Sequence, residues 1–412
     1  MKIFKKLTLL ILATSFILSC GPLKKLRTVT QGKVDKTNFI EEIPFEYYNE
    51  QIFIDVEINN KKHKFIFDTG AYLTVLNEGL ITDMNYKSKK IGHNITDANG
   101  NKSYSEYIEI KNIKLGNIDF LNTGATTMNL SHFKEMFGCT PFDGIIGANL
   151  MRKAKWQIDY TKKTIRFTDN IENFPSSKKT IIFDMNSGNY GNFKLDLNIN
   201  GIQEKFTFDT GYSGKISANK SLLDKINTNN NLDYTIQNGL TSIVAFGKST
   251  GKSYYTNIQK LKFGANEFNN QIVRFSENST NLIGNEFLKN YVVTIDWDKE
   301  KTYLDPITEI ESDRLNVFEI LIAPNFSDNS IQVYNSWEDH KLQNQIEIGT
   351  KITAINKIDV SKFNQQELCD FWTNKKRTIF DKETIEIEIN DKSVRRNVIL
   401  TKKQLLPKPF VK

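Results

Sequence analysis

The chain has 412 residues, 39% of them hydrophobic, with only 8 Pro and 22 Gly; this allows two or three folded domains and argues against long disordered linkers. Its 55 Lys and Arg exceed its 48 Asp and Glu by a net +7, but the signs are interspersed and no basic block carries interleaved aromatics, which argues against nucleic acid as a partner. The 28 Phe and 15 Tyr favour strands over helices.

Lys2, Lys5 and Lys6 open the chain, and Leu7 to Leu18 is apolar apart from Thr8, Thr14 and Ser15. This run is too short to span a bilayer as a mature helix and reads as a secretory signal. Cys20, directly behind Ser19, resembles the processing site of bacterial lipoproteins. The resemblance implies a signal peptide over 1–19 and a lipid on Cys20. It places the protein in a bacterial cell envelope, anchored to the inner or outer membrane. Residues 20–45, with Gly21, Pro22, several Lys and Arg and then Pro44, read as a tether. The remaining cysteines, Cys139 and Cys369, fall in different expected domains without CxxC spacing, and each reads as a buried free thiol.

An internal repeat follows. Phe53 to Ile58 alternates as a strand, Asn59-Asn60 turns, and Phe65-Ile66-Phe67 leads into Asp68-Thr69-Gly70. In the second copy Phe193 to Ile199 alternates, Asn200-Gly201 is a strong hairpin turn, and Phe206-Thr207-Phe208 leads into Asp209-Thr210-Gly211. Each copy continues to an apolar-apolar-Gly segment, Ile145-Ile146-Gly147 and Leu282-Ile283-Gly284, followed by a short helix and an apolar strand. Two matched all-β units predict a pseudo-twofold pair, over 46–170 and 181–307. After Pro306 and a charged stretch the composition changes. A strand at Ile331 to Val333, two strands within 346–360, a helix over Phe363 to Thr373 and a terminal hairpin predict a small α/β domain over 312–405.

A lone Asp-Thr-Gly occurs by chance in roughly one chain in ten of this length; two, each ending a Phe-x-Phe strand, do not arise that way. Two carboxyls held close cannot both ionise, so one carries charge and the other a proton. Asp68 and Asp209 are therefore the candidate catalytic pair. The charged member takes a proton from water and the neutral one donates a hydrogen bond to a carbonyl oxygen. Gly70 and Gly211 permit a sharp turn and close approach, and Thr69 and Thr210 can hydrogen-bond across the axis.

The segment from Asp68 to Leu76, Asp-Thr-Gly-Ala-Tyr-Leu-Thr-Val-Leu, together with Ile145-Ile146-Gly147, resembles the retropepsin-like aspartic proteases. The second copy carries the same two hallmarks, so the resemblance covers residues 46–305. It implies a mainly β fold of two acid-protease β-barrel lobes, with the apolar-apolar-Gly segment crossing beneath each catalytic loop. It also implies endopeptidase activity through water activated by the Asp68/Asp209 dyad, without cofactor or metal. Residues 344–360 resemble the Gly-Asp-x-Ile-x-x-Ile-Asn-Gly segment of PDZ domains, with Gly349-Thr350 and Asn356-Lys357 as departures. That implies a C-terminal PDZ-like domain whose ligand is a peptide C-terminus.

Hairpins between each Asp-Thr-Gly and the following apolar-apolar-Gly are the candidate substrate-covering flaps. The candidate tips are Asn99 and Gly100 in the first and Phe246 and Gly247 in the second. His63, His93, His132 and His340 are scattered without ligand spacing, so no metal site is expected. No GxSxG, HExxH or P-loop pattern appears. The expected partner is a peptide or protein substrate. The alternative is an inactive lipoprotein that binds peptides or envelope proteins through the same cleft and the PDZ-like module.

Overall fold

A computed structural model describes residues 20–406, apart from short stretches at 84–85, 98–99, 134–136, 141, 176, 178–179, 189–190, 245–246, 265, 278, 309–311, 339–341, 343–344 and 392–393. The expected signal peptide and the flap residues Asn99 and Phe246 lie outside the described residues. Among those described, no helix is long and apolar enough to cross a membrane.

The fold is mainly β, built from two similar lobes and a smaller α/β module. In the first lobe, strands Gln51–Ile58 and Lys61–Phe67 form an antiparallel hairpin. Strand Gly144–Ile146 then inserts between Lys61–Phe67 and Thr74–Asn77, parallel to the former and antiparallel to the latter. The second lobe repeats this with Phe193–Ile199, Ile202–Phe208, Leu282–Ile283 and Ile216–Asn219. Alternation explains the strands: along Phe193–Ile199 the odd-numbered Phe and Leu positions and Ile199 are buried while Lys194 and Asp196 face solvent.

The lobes share one sheet and one core. Strand Lys155–Asp159 pairs antiparallel with Tyr291–Asp296, and Gln157 lies opposite Thr294. These two residues occupy the same place in the two copies, so the pseudo-twofold axis passes between them. Gln157 Nε2 donates to Thr294 Oγ1 at 3.0 Å. A single apolar cluster includes Phe67, Trp156 and Phe167 from one lobe and Phe208, Phe263 and Ile295 from the other. Burial of that aromatic surface holds the lobes in one orientation.

Residues 20–45 are not a tether. They form helix Cys20–Thr30, strand Lys33–Val34, which pairs with Ile118–Met128, and the start of strand Ile40–Tyr48, which pairs with Thr164–Thr168. Val29 packs with Leu73 and Tyr107, and Phe39 enters the main core. The high density of charge in the sequence hides these few apolar anchors.

The C-terminal module has its own core, including Ile331, Val333, Leu368, Phe371 and Trp372. Its helix spans Gln365–Phe380, starting on an Asn364–Glu367 capping box. It runs past the expected end at Thr373 because the following Lys and Arg favour helix and Ile379 is buried. Strand Ser330–Trp337 pairs with Tyr234–Val244 of the second lobe, placing Gln237, Asn238 and Gly239 opposite Trp337, Ser336 and Asn335. Only glycine fits at 239, since a Cβ there would lie 2.1 Å from the Tyr334 carbonyl oxygen.

The same module reaches the first lobe. Gln365 Nε2 donates to the Gly138 carbonyl at 3.0 Å. Cys139 and Cys369, expected as free thiols, form a disulfide with Cα atoms 5.3 Å apart. Partners 230 residues apart in sequence meet only through the tertiary fold. Replacing both by Ser is expected to cost about 2–5 kcal/mol. Urea unfolding with and without reductant checks this: reductant should lower the wild-type midpoint to that of the double variant and leave the variant unmoved.

Candidate active site

Strands Lys61–Phe67 and Ile202–Phe208 each end at the pseudo-twofold axis and deliver an Asp-Thr-Gly loop there. The crossing segments hold the loops from beneath. Asp68 N donates to the Ile146 carbonyl at 3.0 Å and Asp209 N to the Ile283 carbonyl at 2.9 Å. Ala148 N donates to Ala71 O at 2.8 Å and Asn285 N to Tyr212 O at 2.9 Å. Four backbone bonds thus repeat across the axis.

Thr69 and Thr210 are fully buried and lock the loops to each other. Thr69 N donates to Thr210 Oγ1 and Thr210 N to Thr69 Oγ1, both at 3.0 Å. In turn Thr69 Oγ1 donates to Phe208 O at 2.8 Å, and Thr210 Oγ1 to Phe67 O at 2.7 Å. Each hydroxyl accepts and donates at once, which a valine of the same shape cannot do.

The carboxyls cross over. A Cβ built on Gly70 would sit 2.5 Å from the Asp209 carboxyl carbon, and one on Gly211 would sit 2.3 Å from that of Asp68. Each carboxyl therefore occupies the space above the other loop's glycine, and the two hydrogen-bond to one another. Both side chains are half-buried at the cleft floor.

Their environments differ. Asp68 Oδ1 accepts from Gly70 N at 2.8 Å and Ala71 N at 2.9 Å. Asp209 Oδ1 accepts from Gly211 N at 2.8 Å. Desolvation raises the pKa of both, and the neighbouring Asp68 charge pushes that of Asp209 well above the ordinary carboxyl range. Two desolvated carboxyls this close cannot both ionise, so the pair shares one proton.

Three positioning residues escaped the sequence reading. Asn285 Nδ2 donates to the Thr210 and Glu50 carbonyls at 2.6 and 2.7 Å, while its Oδ1 accepts from Tyr160 OH at 2.7 Å. Asn149 Oδ1 accepts from Thr74 N at 2.8 Å. Gln51 Nε2 donates to Gly211 O at 2.9 Å. Asn285 and Asn149 follow the two apolar-apolar-Gly segments within two residues, and that placement was the available signal.

Both candidate flaps are hairpins in the expected positions. The first joins Tyr86–Thr96 to Lys102–Leu115 and the second joins Tyr234–Val244 to Gly247–Phe263. Gly100 and Gly247 have φ of +84° and +131° near their tips. Beneath the first, His93 stacks on Tyr107 with ring centroids 3.9 Å apart. Its Nδ1 lies 3.3 Å from Tyr72 OH and its Nε2 3.0 Å from Thr126 Oγ1. Burial, then the Lys25 charge, lowers the His93 pKa to about 4, so the imidazole is neutral near pH 7.

Residues 54–153 match the family model for gag-polyprotein putative aspartyl protease. The match supports a retropepsin-like aspartyl protease domain in the first lobe and, at the same coarse level, a protease hydrolase. It covers Asp68-Thr69-Gly70 and Ile145-Ile146-Gly147; the second lobe and the C-terminal module lie beyond it. No curated protein matches the chain.

Proposed function

We propose that the protein is an aspartic endopeptidase in which Asp68 and Asp209 jointly activate water. The observation that carries the reading is the pair of cross-bonded Asp-Thr-Gly loops, with each carboxyl above the other loop's glycine. Asp68, as carboxylate, takes a proton from water while the water oxygen attacks the scissile carbonyl carbon. Asp209 gives its proton to the carbonyl oxygen, forming a neutral tetrahedral diol. Breakdown returns a proton to Asp209, transfers the Asp68 proton to the leaving nitrogen, and breaks the C–N bond. The flaps cover an extended peptide and exclude water.

The rest of the reading concerns place and capture. Cys20 carries a lipid that anchors the chain in a bacterial envelope, and the substrate is an envelope protein or peptide. The C-terminal module acts as a PDZ-like domain that captures a peptide C-terminus by strand addition.

Cleavage of a diverse peptide library by the full-length protein between pH 3 and 8 tests the chemistry. The pair titrates in two coupled steps. Cleavage should fall at low pH as Asp68 gains a proton, and fall again as rising pH strips the shared proton from Asp209, whose pKa is raised. Activity that keeps climbing to pH 8 would rule out a shared-proton dyad.

A further inference from the structure

The two halves of the cleft match in backbone and differ in charge. Tyr107 pairs with Thr126 beneath the first flap, and Tyr255 pairs with Arg274 beneath the second. The strands place these pairs alike: Thr126 lies opposite Val75, and Arg274 lies opposite Ser217, next to each lobe's catalytic loop strand. On the neighbouring flap strand His93 faces Ser105 as Gln237 faces Ser253. Where the first lobe has a small hydroxyl and a neutral imidazole, the second therefore has a guanidinium.

Arg274 sits between the second flap and the catalytic loop. Its Nε donates to Ser253 Oγ at 3.1 Å, and its Nη2 donates to the same oxygen at 2.9 Å and to the Thr241 carbonyl. Thr241 is the extra residue at a bulge in the flap strand, between Leu240 and Ser242. The phenols of Tyr212 and Tyr255 lie beside the guanidinium. Tyr212 is the third residue after Asp209, where the first lobe has only Ala71. Both phenols hydrogen-bond to the guanidinium, and among the described residues no carboxylate pairs with Arg274. Glu286 acts on Tyr255 through space without pairing with Arg274. The side chain is half-buried.

A cation withdrawn from water without a counter-ion is costly. A half-buried guanidinium held by hydroxyls and a carbonyl, with no carboxylate beside it, is matched in charge and shape to take one. We infer that Arg274 is a specificity-determining residue that selects a substrate carboxylate on the Asp209 side of the scissile bond. The inference rests on the aspartic-protease reading and adds the substrate's chemistry to it. The carboxylate comes either from an Asp or Glu side chain or from the end of a short peptide. Flap closure removes water around the pair and strengthens it. The first lobe, with Thr126 in the equivalent place, imposes no such charge, so recognition is asymmetric about the cleaved bond.

The test uses the full-length protein and peptides that differ only by Glu against Gln, or Asp against Asn, at each position. Each peptide is made with a free and an amidated C-terminus. Wild type is expected to cleave the acidic member of one pair about 10- to 100-fold faster in kcat/KM. If the preference follows the side chain, amidation leaves it unchanged; if it follows the chain end, amidation removes it. Arg274→Lys should keep the preference. Arg274→Glu should reverse it toward Lys-containing peptides, a readout that loss of the Thr241 contact alone does not produce. Should Arg274→Glu fail to fold, Arg274→Gln carries the test by losing the Glu/Gln discrimination.

Equal cleavage of Glu and Gln peptides by wild type overturns the inference while leaving the protease reading intact. So does an Arg274 variant that slows every peptide by the same factor. If wild type cleaves nothing, the protease reading fails separately, and binding of the same fluorescent peptides decides. Acidic peptides binding about tenfold more tightly to wild type than to Arg274→Gln support the inference, and equal binding overturns it.

Discussion

Asp209→Asn is expected to lower kcat/KM for peptide cleavage by roughly 10²- to 10⁴-fold without unfolding the protein. The amide fills the same space above Gly70 and can still meet the Gly211 N–H through its oxygen. What it lacks is a transferable proton for the scissile carbonyl. Asp68→Asn should be equally damaging for the opposite reason, because the base that deprotonates water is gone. Stability should move the other way. Both folded-state pKa values are raised, whereas an unfolded Asp titrates at about 3.9. The folded pair therefore holds protons more tightly than the unfolded chain. Its contribution to stability is fully present below pH about 4 and is lost as pH rises through the raised values. An Asn at either position relieves the ionisation of a crowded, desolvated pair, so thermal unfolding at pH 7 should show a variant at least as stable as wild type. A variant that loses cleavage together with its melting transition would point to a structural role for the carboxyl instead.

The second large effect is expected at Thr210. Thr210→Val leaves the Thr69 N–H without an acceptor and the Phe67 carbonyl without a donor, both inside the protein. At about 1–3 kcal/mol for each buried group left unpaired, the variant should lose roughly 2–6 kcal/mol. Activity should fall beyond what stability explains, since the loops no longer fix the distance between Asp68 and Asp209. Thr210→Ser keeps the hydroxyl and should retain most cleavage, with a loss of about 1 kcal/mol for the missing methyl. Urea unfolding and kcat/KM for the three proteins separate these outcomes. Thr69→Val added to Thr210→Val should cost less than the two single changes together, because one hydroxyl network is broken twice. Strict additivity would mean that the four bonds do not act as a unit.

Much of the site is legible in the chain because its chemistry is local and occurs twice. Phe-x-Phe strands, Asn-Gly and Asn-Asn turns and paired Asp-Thr-Gly loops are short-range patterns, and their repetition implies an axis. The structure brings Asp68 and Asp209 together on that axis, with Thr69 and Thr210 between the loops. The N-terminal stretch was harder to read. Its charges suggest solvent, but Val29 and Phe39 suffice to fold it onto the first lobe, because two large apolar side chains outweigh several Lys that can extend into water. Nothing in the spacing of Cys139 and Cys369 announces their pairing.

The sequence by itself determined the β class and the duplicated Asp-Thr-Gly hairpins, since period-two burial and hairpin turns need only neighbouring residues. Tertiary structure alone decided that the two carboxyls meet and are desolvated together, because that depends on segments brought close by folding. It decided that the C-terminal module pairs with the second flap strand and is tied by a disulfide to the first lobe. It also decided that Arg274 and Thr126 occupy equivalent places. Strand registers between distant segments are set by the packing of whole faces, and no local pattern in the chain records them.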